Sequence, residues 1–432
     1  MKRFRLCLFS SLVLFLIIPG LGIADEKHAG EEVKQPETPQ QVIPVVPDNT
    51  IISAPRTLSI SSPVISPYDA NTAASRAVDR NVGFFSTRIK QRFSLWLSRS
   101  GQYMELMKDI LREKDVPEDI VFLSLIESGF NPYAYSIARA SGPWQFIAST
   151  AKRYGLQINW WKDERRDPVK STAAAASYLK DLYGMFGSWN LAMAAYNAGE
   201  GRIQKALKRS NADDYWALLA TKHIRDETKD YVPKFIAASM IATNPGDFGF
   251  ENIEYHQPMR YDEVELDSPL DLTVAAECAG VDLDVIKKLN PELRRWCTPP
   301  DAETYRLRIP EGSKEAFMNK LSSMKDEDRF SIDRYTVKKG DTLKKMARKT
   351  GVPESAILSL NSMDKILPLK VGSVIYLPPS GLFIQDADDK VALKKQIVKK
   401  VSLKVKGRKK KSSRKPKTTL AKRSVERSSM KG

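Results

Sequence analysis

Glu127 stands in an unusual place for an acid. It closes the segment Val116-Pro117-Glu118-Asp119-Ile120-Val121-Phe122-Leu123-Ser124-Leu125-Ile126 and is followed by Ser128-Gly129. Pro117 suits a first helical turn, and Glu118 and Asp119 suit the positive end of the helix dipole. Glu127 falls at the other end, after an almost wholly apolar turn, where dipole and dryness both work against a carboxylate. Both effects raise its pKa, which is what a general acid needs near neutral pH. A glutamate fraying into solvent at a helix end fits the same segment, so this stretch alone leaves both readings open.

Other chemistries find little to work with. His28, His223 and His256 are the histidines of the chain and show no ligand spacing; no nucleophile elbow and no cofactor motif appear. Neither a metal nor a cofactor is expected. Of the three cysteines, Cys7 lies in an apolar leader. Cys278 and Cys297 remain, and in an oxidising compartment they can pair into a disulfide contributing on the order of 3 kcal/mol. Two separate buried thiols are the alternative.

The elements that must hold Glu127 are helical. From about residue 76 to 250 the chain reads as all-α, with glycine stops and Asp or Ser starts. Asp167-Pro168 opens an alanine-rich helix ending near Gly184 to Gly187, and Ser188 caps the next, which ends at Gly199. After Pro245 the grammar changes to short strands around paired helices. Residues 333–380 read as one βααβ unit: Tyr335-Thr336-Val337, a turn at Lys339-Gly340, a helix capped by Asp341, a second helix from Pro353 to Asn361, and a strand at Val374 to Leu377. Residues 260–312 repeat it loosely, Gly280-Val281 aligning with Gly351-Val352 and Asn290 with Asn361.

Four ordered motifs bear on function: Glu127-Ser128-Gly129-Phe130-Asn131-Pro132, Ala140-Ser141-Gly142-Pro143-Trp144-Gln145-Phe146, Ala194 to Ile203, and Glu227 to Pro233. In order and spacing they resemble the soluble-lytic-transglycosylase domain family, and with the βααβ repeats behind them the membrane-bound lytic murein transglycosylases of the D type. The resemblance covers roughly residues 76 to 380. It implies an all-α, goose-lysozyme-like catalytic domain with a groove for peptidoglycan glycan strands. It also implies that Glu127 protonates the oxygen between N-acetylmuramic acid and N-acetylglucosamine, then as carboxylate takes the proton of the muramoyl C6 hydroxyl. The ring closes to a 1,6-anhydro product, so the second carboxylate of an ordinary glycosidase is not needed. Consistently, no Asp or Glu occurs from Ser128 to Lys162.

By the same resemblance Ser128, Ser136, Gln145, Tyr196, Asn197 and Tyr231 match substrate-binding positions of the groove, the last three being those that position the muramoyl ring and Glu127. Each has a structural alternative: Asn197 as a turn cap before Gly199, Tyr196 as core. The commoner Gly-Leu-Met-Gln pattern is replaced here by Gly142-Pro143-Trp144-Gln145, which puts the adjoining subsite in question. The 333–380 unit looks like a LysM domain, with Gly340, Asp341 and Thr342 as its glycan-binding turn. The 260–312 unit lacks that turn and reads as a degenerate copy serving as a spacer.

The ends of the chain differ from its body. Residues 1–24 have the form of a signal peptide, with Lys2, Arg3 and Arg5, an apolar run from Leu6 to Ile18, and small residues Gly22 and Ala24 at the cleavage positions. A short uncleaved anchor is the alternative. Residues 25–75 are Pro- and Ser-rich and read as a tether. The net charge of +17 is carried by the end of the chain, because outside residues 390–432 the body holds 51 Lys/Arg and 51 Asp/Glu. The tail, residues 381–432, reads as basic and disordered. It has no aromatic residue from Lys390 onward, so nucleic acid is not an expected partner. Its partners in an exported protein would be anionic cell-envelope surfaces, and a solvated tail without a dedicated partner is the alternative. The chain is thus expected to be a multidomain, exported, monomeric peptidoglycan-cleaving enzyme. A lysozyme-type hydrolase and a catalytically inactive wall-binding protein are the rivals.

Overall fold

The computed structural model describes residues 73–379. The signal-like segment, the tether and the basic tail lie outside the described residues. The described chain divides at Arg260 into two units, with residues 159–162 belonging to the second. No helix among the described residues is long and apolar enough to cross a membrane.

The first unit is helical. Its elements are α1 (Ala73–Gly83), α2 (Lys90–Glu113), α3 (Phe122–Ser128), α4 (Ala148–Arg153), α5 (Pro168–Phe186), α6 (Trp189–Ala198), α7 (Glu200–Ser210), α8 (Tyr215–Leu219) and α9 (Asp226–Thr243). Several boundaries follow the local chemistry foreseen from the sequence. Asp167 accepts from the amides of Val169 and Lys170 at 2.8 and 3.0 Å, just ahead of Pro168 at the start of α5. Ser188 caps α6, and left-handed Gly187 ends α5. The alanines of α5 and α6 have no long side chains, so these helices pack closely; Ala174 to Ala176 and Ala192 to Ala195 are buried. The segment before Glu127 opens with a tight turn, Glu118–Val121, before α3 begins.

The second unit contains two modules of the same plan. The first pairs β1 (Tyr261–Leu266) antiparallel with β2 (Tyr305–Pro310) around α10 (Leu272–Ala279) and α11 (Leu283–Leu289), and is followed by α12 (Lys314–Ser323) and α13 (Asp326–Arg329). The second pairs β3 (Asp333–Thr336) with β4 (Val374–Leu377) around α14 (Leu343–Thr350) and α15 (Glu354–Leu360). The internal repeat is visible atom by atom. Gly280 and Gly351 both end a helix in the left-handed region. Asn290 donates to the carbonyls of Ile286 and Arg308 and accepts from the Arg308 amide. Asn361 does the same with Ile357 and Tyr376. One amide side chain thus ties the end of the second helix to the last strand in both modules.

The cysteine pairing expected as one alternative is not formed. Cys278 and Cys297 are both free and buried. Cys278 packs in the core of the first module, its sulfur 3.7 Å from that of Met324, whereas Cys297 packs with Trp161, Val337 and Ile357 in the other core cluster. Burial pushes both thiols up, so neither is a reactive thiolate. Asp341 is also corrected: it does not cap α14. Its carboxylate accepts from Tyr335 Oη at 2.8 Å and from the Lys338 amide at 2.9 Å, closing the turn before the helix. The cap is Thr342, whose hydroxyl accepts from the Lys345 amide at 3.2 Å.

Candidate active site

Glu127 is the penultimate residue of α3, and the preceding turn, Phe122 to Leu125, is buried throughout. Its carboxyl lies at a groove of about 540 Å³. Tyr231 of α9 donates its hydroxyl to Glu127 Oε1 at 2.6 Å. Burial is the main influence on this carboxyl and pushes it up to about 7, with the Glu227 charge adding to the rise. The Tyr231 hydrogen bond and the Lys234 charge pull the other way without overcoming it. The reading of Glu127 as a fraying surface residue is therefore set aside. A carboxyl poised near 7 gives up and regains its proton at similar cost, the property required of one group acting as acid and then base.

The two tyrosines do different work. Burial and the nearby Glu127 charge hold both phenols well above their ordinary range, so they stay protonated donors. Tyr231 donates to the acid itself. Tyr196, on α6, donates instead to the carbonyl of Trp144 at 2.7 Å, fastening the loop that carries Gln145. Trp144 is wholly buried and its indole donates to Thr172 at 2.8 Å. The Pro143-Trp144 departure therefore enters the core of the helical unit and leaves the groove to Gln145.

The loop from Gly129 to Ile147 is held at close range. A side chain at Gly129 would put its Cβ 2.2 Å from the Trp96 ring, and one at Gly142 would lie 1.7 Å from the Arg165 carbonyl oxygen. Both glycines have positive φ. Gln145, itself at φ 49°, spends its amide nitrogen on the carbonyls of Gly142 and Ala134, at 2.9 and 3.3 Å, which leaves Oε1 as the uncommitted acceptor. The Ser136 hydroxyl accepts from the Ala140 amide, and Asn197 Oδ1 accepts from Thr228.

Of the residues singled out in the sequence, Glu127, Ser136, Gln145, Tyr196 and Asn197 line this groove together. Tyr231 reaches it through Glu127. Ser128 does not line it: its hydroxyl donates to the Pro143 carbonyl at 2.8 Å and accepts from the Asn131 amide, because the last turn of α3 points it back into the loop. Ser128 is thus a brace behind the site, and its expected contact with substrate is withdrawn.

The sequence reading overlooked a buried ion pair beneath the loop. Arg165 grips Asp163 through two contacts, at 2.9 and 2.7 Å, and donates from Nη1 to the carbonyls of Arg139 at 2.8 Å and Phe146 at 3.0 Å. The guanidinium thus clamps both ends of the segment that includes Gln145. The run Asp163-Glu164-Arg165-Arg166-Asp167 looks like a solvated turn, yet all five residues are buried. Two further carboxylates line the groove as well. Glu200 accepts from Arg153 and Tyr178, both at 3.2 Å, and its carboxyl is held low, first by its own backbone amide and then by these two partners. Glu227 lies on the first turn of α9.

A transglycosylase SLT domain model matches residues 106–219, a lytic transglycosylase MltD LysM-like domain model residues 260–326, and a LysM domain model residues 335–378. The three matches follow one another along the chain in that order. Membrane-bound lytic murein transglycosylase D of Escherichia coli (strain K12) is 33% identical over 279 residues, 61% of this chain and 61% of that protein. This chain therefore matches less than two thirds of that relative's length. The putative tributyltin chloride resistance protein of Alteromonas sp. (strain M-1) is 38% identical over 111 residues, 26% of this chain and 54% of that one. The soluble lytic murein transglycosylase of Salmonella typhimurium (strain LT2) is 30% identical over 156 residues, 34% of this chain and 23% of the other. Within the SLT match fall Glu127, Ser136, Gln145, Tyr196 and Asn197. Tyr231, which hydrogen-bonds Glu127, lies beyond it, so α9 contributes to the groove although the match stops at Leu219.

Proposed function

We propose that the chain is a peptidoglycan lytic transglycosylase that cleaves between N-acetylmuramic acid and N-acetylglucosamine without water. The observation that carries this is the Glu127 carboxyl at the groove, pushed up to about 7 by burial and hydrogen-bonded by Tyr231. In the proposed reaction Glu127 gives its proton to the bridging oxygen as the bond from the muramoyl C1 breaks, freeing the 4-hydroxyl of N-acetylglucosamine. The carboxylate, now stabilised by Tyr231, takes the proton of the muramoyl C6 hydroxyl while that oxygen bonds to C1. The product is a 1,6-anhydro end and Glu127 is protonated again. Ser136, Gln145 and Asn197 supply neutral polar groups for the sugars on either side.

A hydrolase is the second reading, and the presence of Glu227 in the groove is what favours it, since a second carboxylate could activate water. Mass spectrometry of products from isolated sacculi separates the two. The transglycosylase yields anhydro-ended muropeptides, and Glu127→Gln lowers their release about 10³-fold. Reducing-end products lost on Glu227→Gln would establish the hydrolase instead. Undiminished wall binding with no product from the wild type would leave a binding protein.

The remaining assignments extend the same reading. The turn Gly340-Asp341-Thr342 of the second LysM-type module would take N-acetylglucosamine-containing chains, with the first module as spacer. The apolar leader would direct export to the periplasm or cell envelope, and the basic tail would hold anionic envelope surfaces. The protein would act as a monomer.

A further inference from the structure

The groove around Glu127 is not electrically neutral. One wall is α7, whose Arg202, Lys205 and Arg209 all line the cavity and are exposed, their i, i+3, i+7 spacing placing them on one helical face. Between them the same wall presents buried Ile203 and Ala206. Arg225, from the segment leading into α9, adds a further exposed cation. None of these four has an acidic partner among the described residues; Arg202 donates only to the Ala198 carbonyl at 3.0 Å. The acids lining the groove do not neutralise them: burial holds Glu127 only partly ionised and Glu200 is committed to Arg153. Glu227 is left against four fixed cations.

A neutral sugar chain offers such a wall hydrogen-bond acceptors but no charge to balance it. Cations gathered along a cleft repel one another and focus a positive potential, which is useful only toward an anionic ligand. In peptidoglycan the anionic groups are the carboxylates of the peptide stems that branch from the muramoyl lactyl groups. The stems leave the sugar plane sideways, so a strand lying in the groove would project them toward its walls.

We infer that Arg202, Lys205, Arg209 and Arg225 form a stem-recognition wall that selects glycan strands still bearing carboxylate-rich peptides over strands stripped of them. The inference rests on the function proposed above and adds a specificity to it. Guanidinium and carboxylate pair through parallel hydrogen bonds, whereas Lys205 contributes a point charge. At an exposed site each contact is modest and screened by salt, so the selection should be a sum of small steps.

The test uses the full chain and two substrates: soluble glycan strands carrying intact stems, and the same strands treated with an amidase and then amidated at the lactyl carboxylates this frees, so that they carry no charge. The wild type should show the higher kcat/KM on stem-bearing strands, with the advantage shrinking as salt is raised. The triple variant Arg202→Gln/Lys205→Gln/Arg209→Gln should lose about tenfold on stem-bearing strands and less than threefold on stripped ones. Lys208→Gln removes one positive charge from α7 at an exposed position that does not line the groove, and should leave the preference as it is. Equal losses on both substrates, or a wild type indifferent to stems, would overturn the inference. Binding of the two strands to the Glu127→Gln chain reads the same preference without turnover. Failure of the stem wall is thereby kept apart from failure of the catalytic reading, in which the wild type releases no anhydro product from either strand.

Discussion

The end of α3 and the turn at 163–167 both take carboxyl groups out of water, with opposite outcomes. Asp163 is fully buried but meets a bidentate guanidinium, the Arg165 side chain itself being 4% exposed. Glu127 meets a phenol and a packed apolar turn, with Lys234 acting only through its charge. A buried charge answered by an equal charge becomes a structural tie; one answered by a single neutral donor has its pKa raised. The difference lies in the partner supplied by the fold, since both groups are ordinary carboxylic acids.

Breaking the tie should have the largest effect. Arg165→Met leaves Asp163 buried without its counter-charge and releases the carbonyls of Arg139 and Phe146, an expected loss of about 3–5 kcal/mol in urea unfolding. Replacing both partners, Asp163→Leu with Arg165→Met, should recover part of that loss, because no unpaired charge remains. Equal destabilisation by the single and double variants would mean that the clamp on the loop, and not the ion pair, is what matters.

The opposite experiment removes the reactive acid. The folded state holds the Glu127 proton up to about 7, whereas the usual value is 4.5. Through that window the native state binds more protons than the unfolded chain, so this residue's contribution to stability falls as pH rises. Glu127→Gln does not titrate. It should therefore be more stable than the wild type at pH 8, by about 1–3 kcal/mol after allowance for partial solvent access, and gain nothing from this source at pH 4. Thermal or urea unfolding at the two pH values checks this, and a gain independent of pH would refute it.

A smaller change sharpens the comparison. Tyr231→Phe removes the one hydrogen bond that favours the ionised form, so the Glu127 pKa should climb further. The alkaline limb of kcat/KM should then move to higher pH by about one unit or less. The maximal rate should fall, since the carboxylate produced in the first proton transfer loses its donor. An unmoved limb would show that Tyr231 serves packing alone.

Much of the local architecture was legible in the sequence. Asp167 and Ser188 as caps, Gly187 as a stop, and the equivalence of Gly280 with Gly351 and Asn290 with Asn361 depend on hydrogen bonds a few residues long or on the sterics of a single φ. Glu127 was legible too, since its apolar turn is contiguous with it. The errors share a cause. Ser128 is placed by resemblance and Asp341 by its neighbours, and in each a competing acceptor or donor takes the side chain: Pro143 for one, Tyr335 and Lys338 for the other. Cys278 and Cys297 are near in sequence but were drawn into different clusters.

By itself the sequence determined where helices and strands begin and end, which acid follows a dry turn, and that a βααβ plan is used twice, because each depends on short-range geometry. Tertiary structure alone decided that Tyr231, more than a hundred residues away, would meet Glu127, and that a densely charged pentapeptide would be buried as a clamp. It also decided that one face of α7 would line the acid's groove. Partners so distant in the chain are brought together by helix packing, and the burial that sets a pKa exists only once that packing is complete.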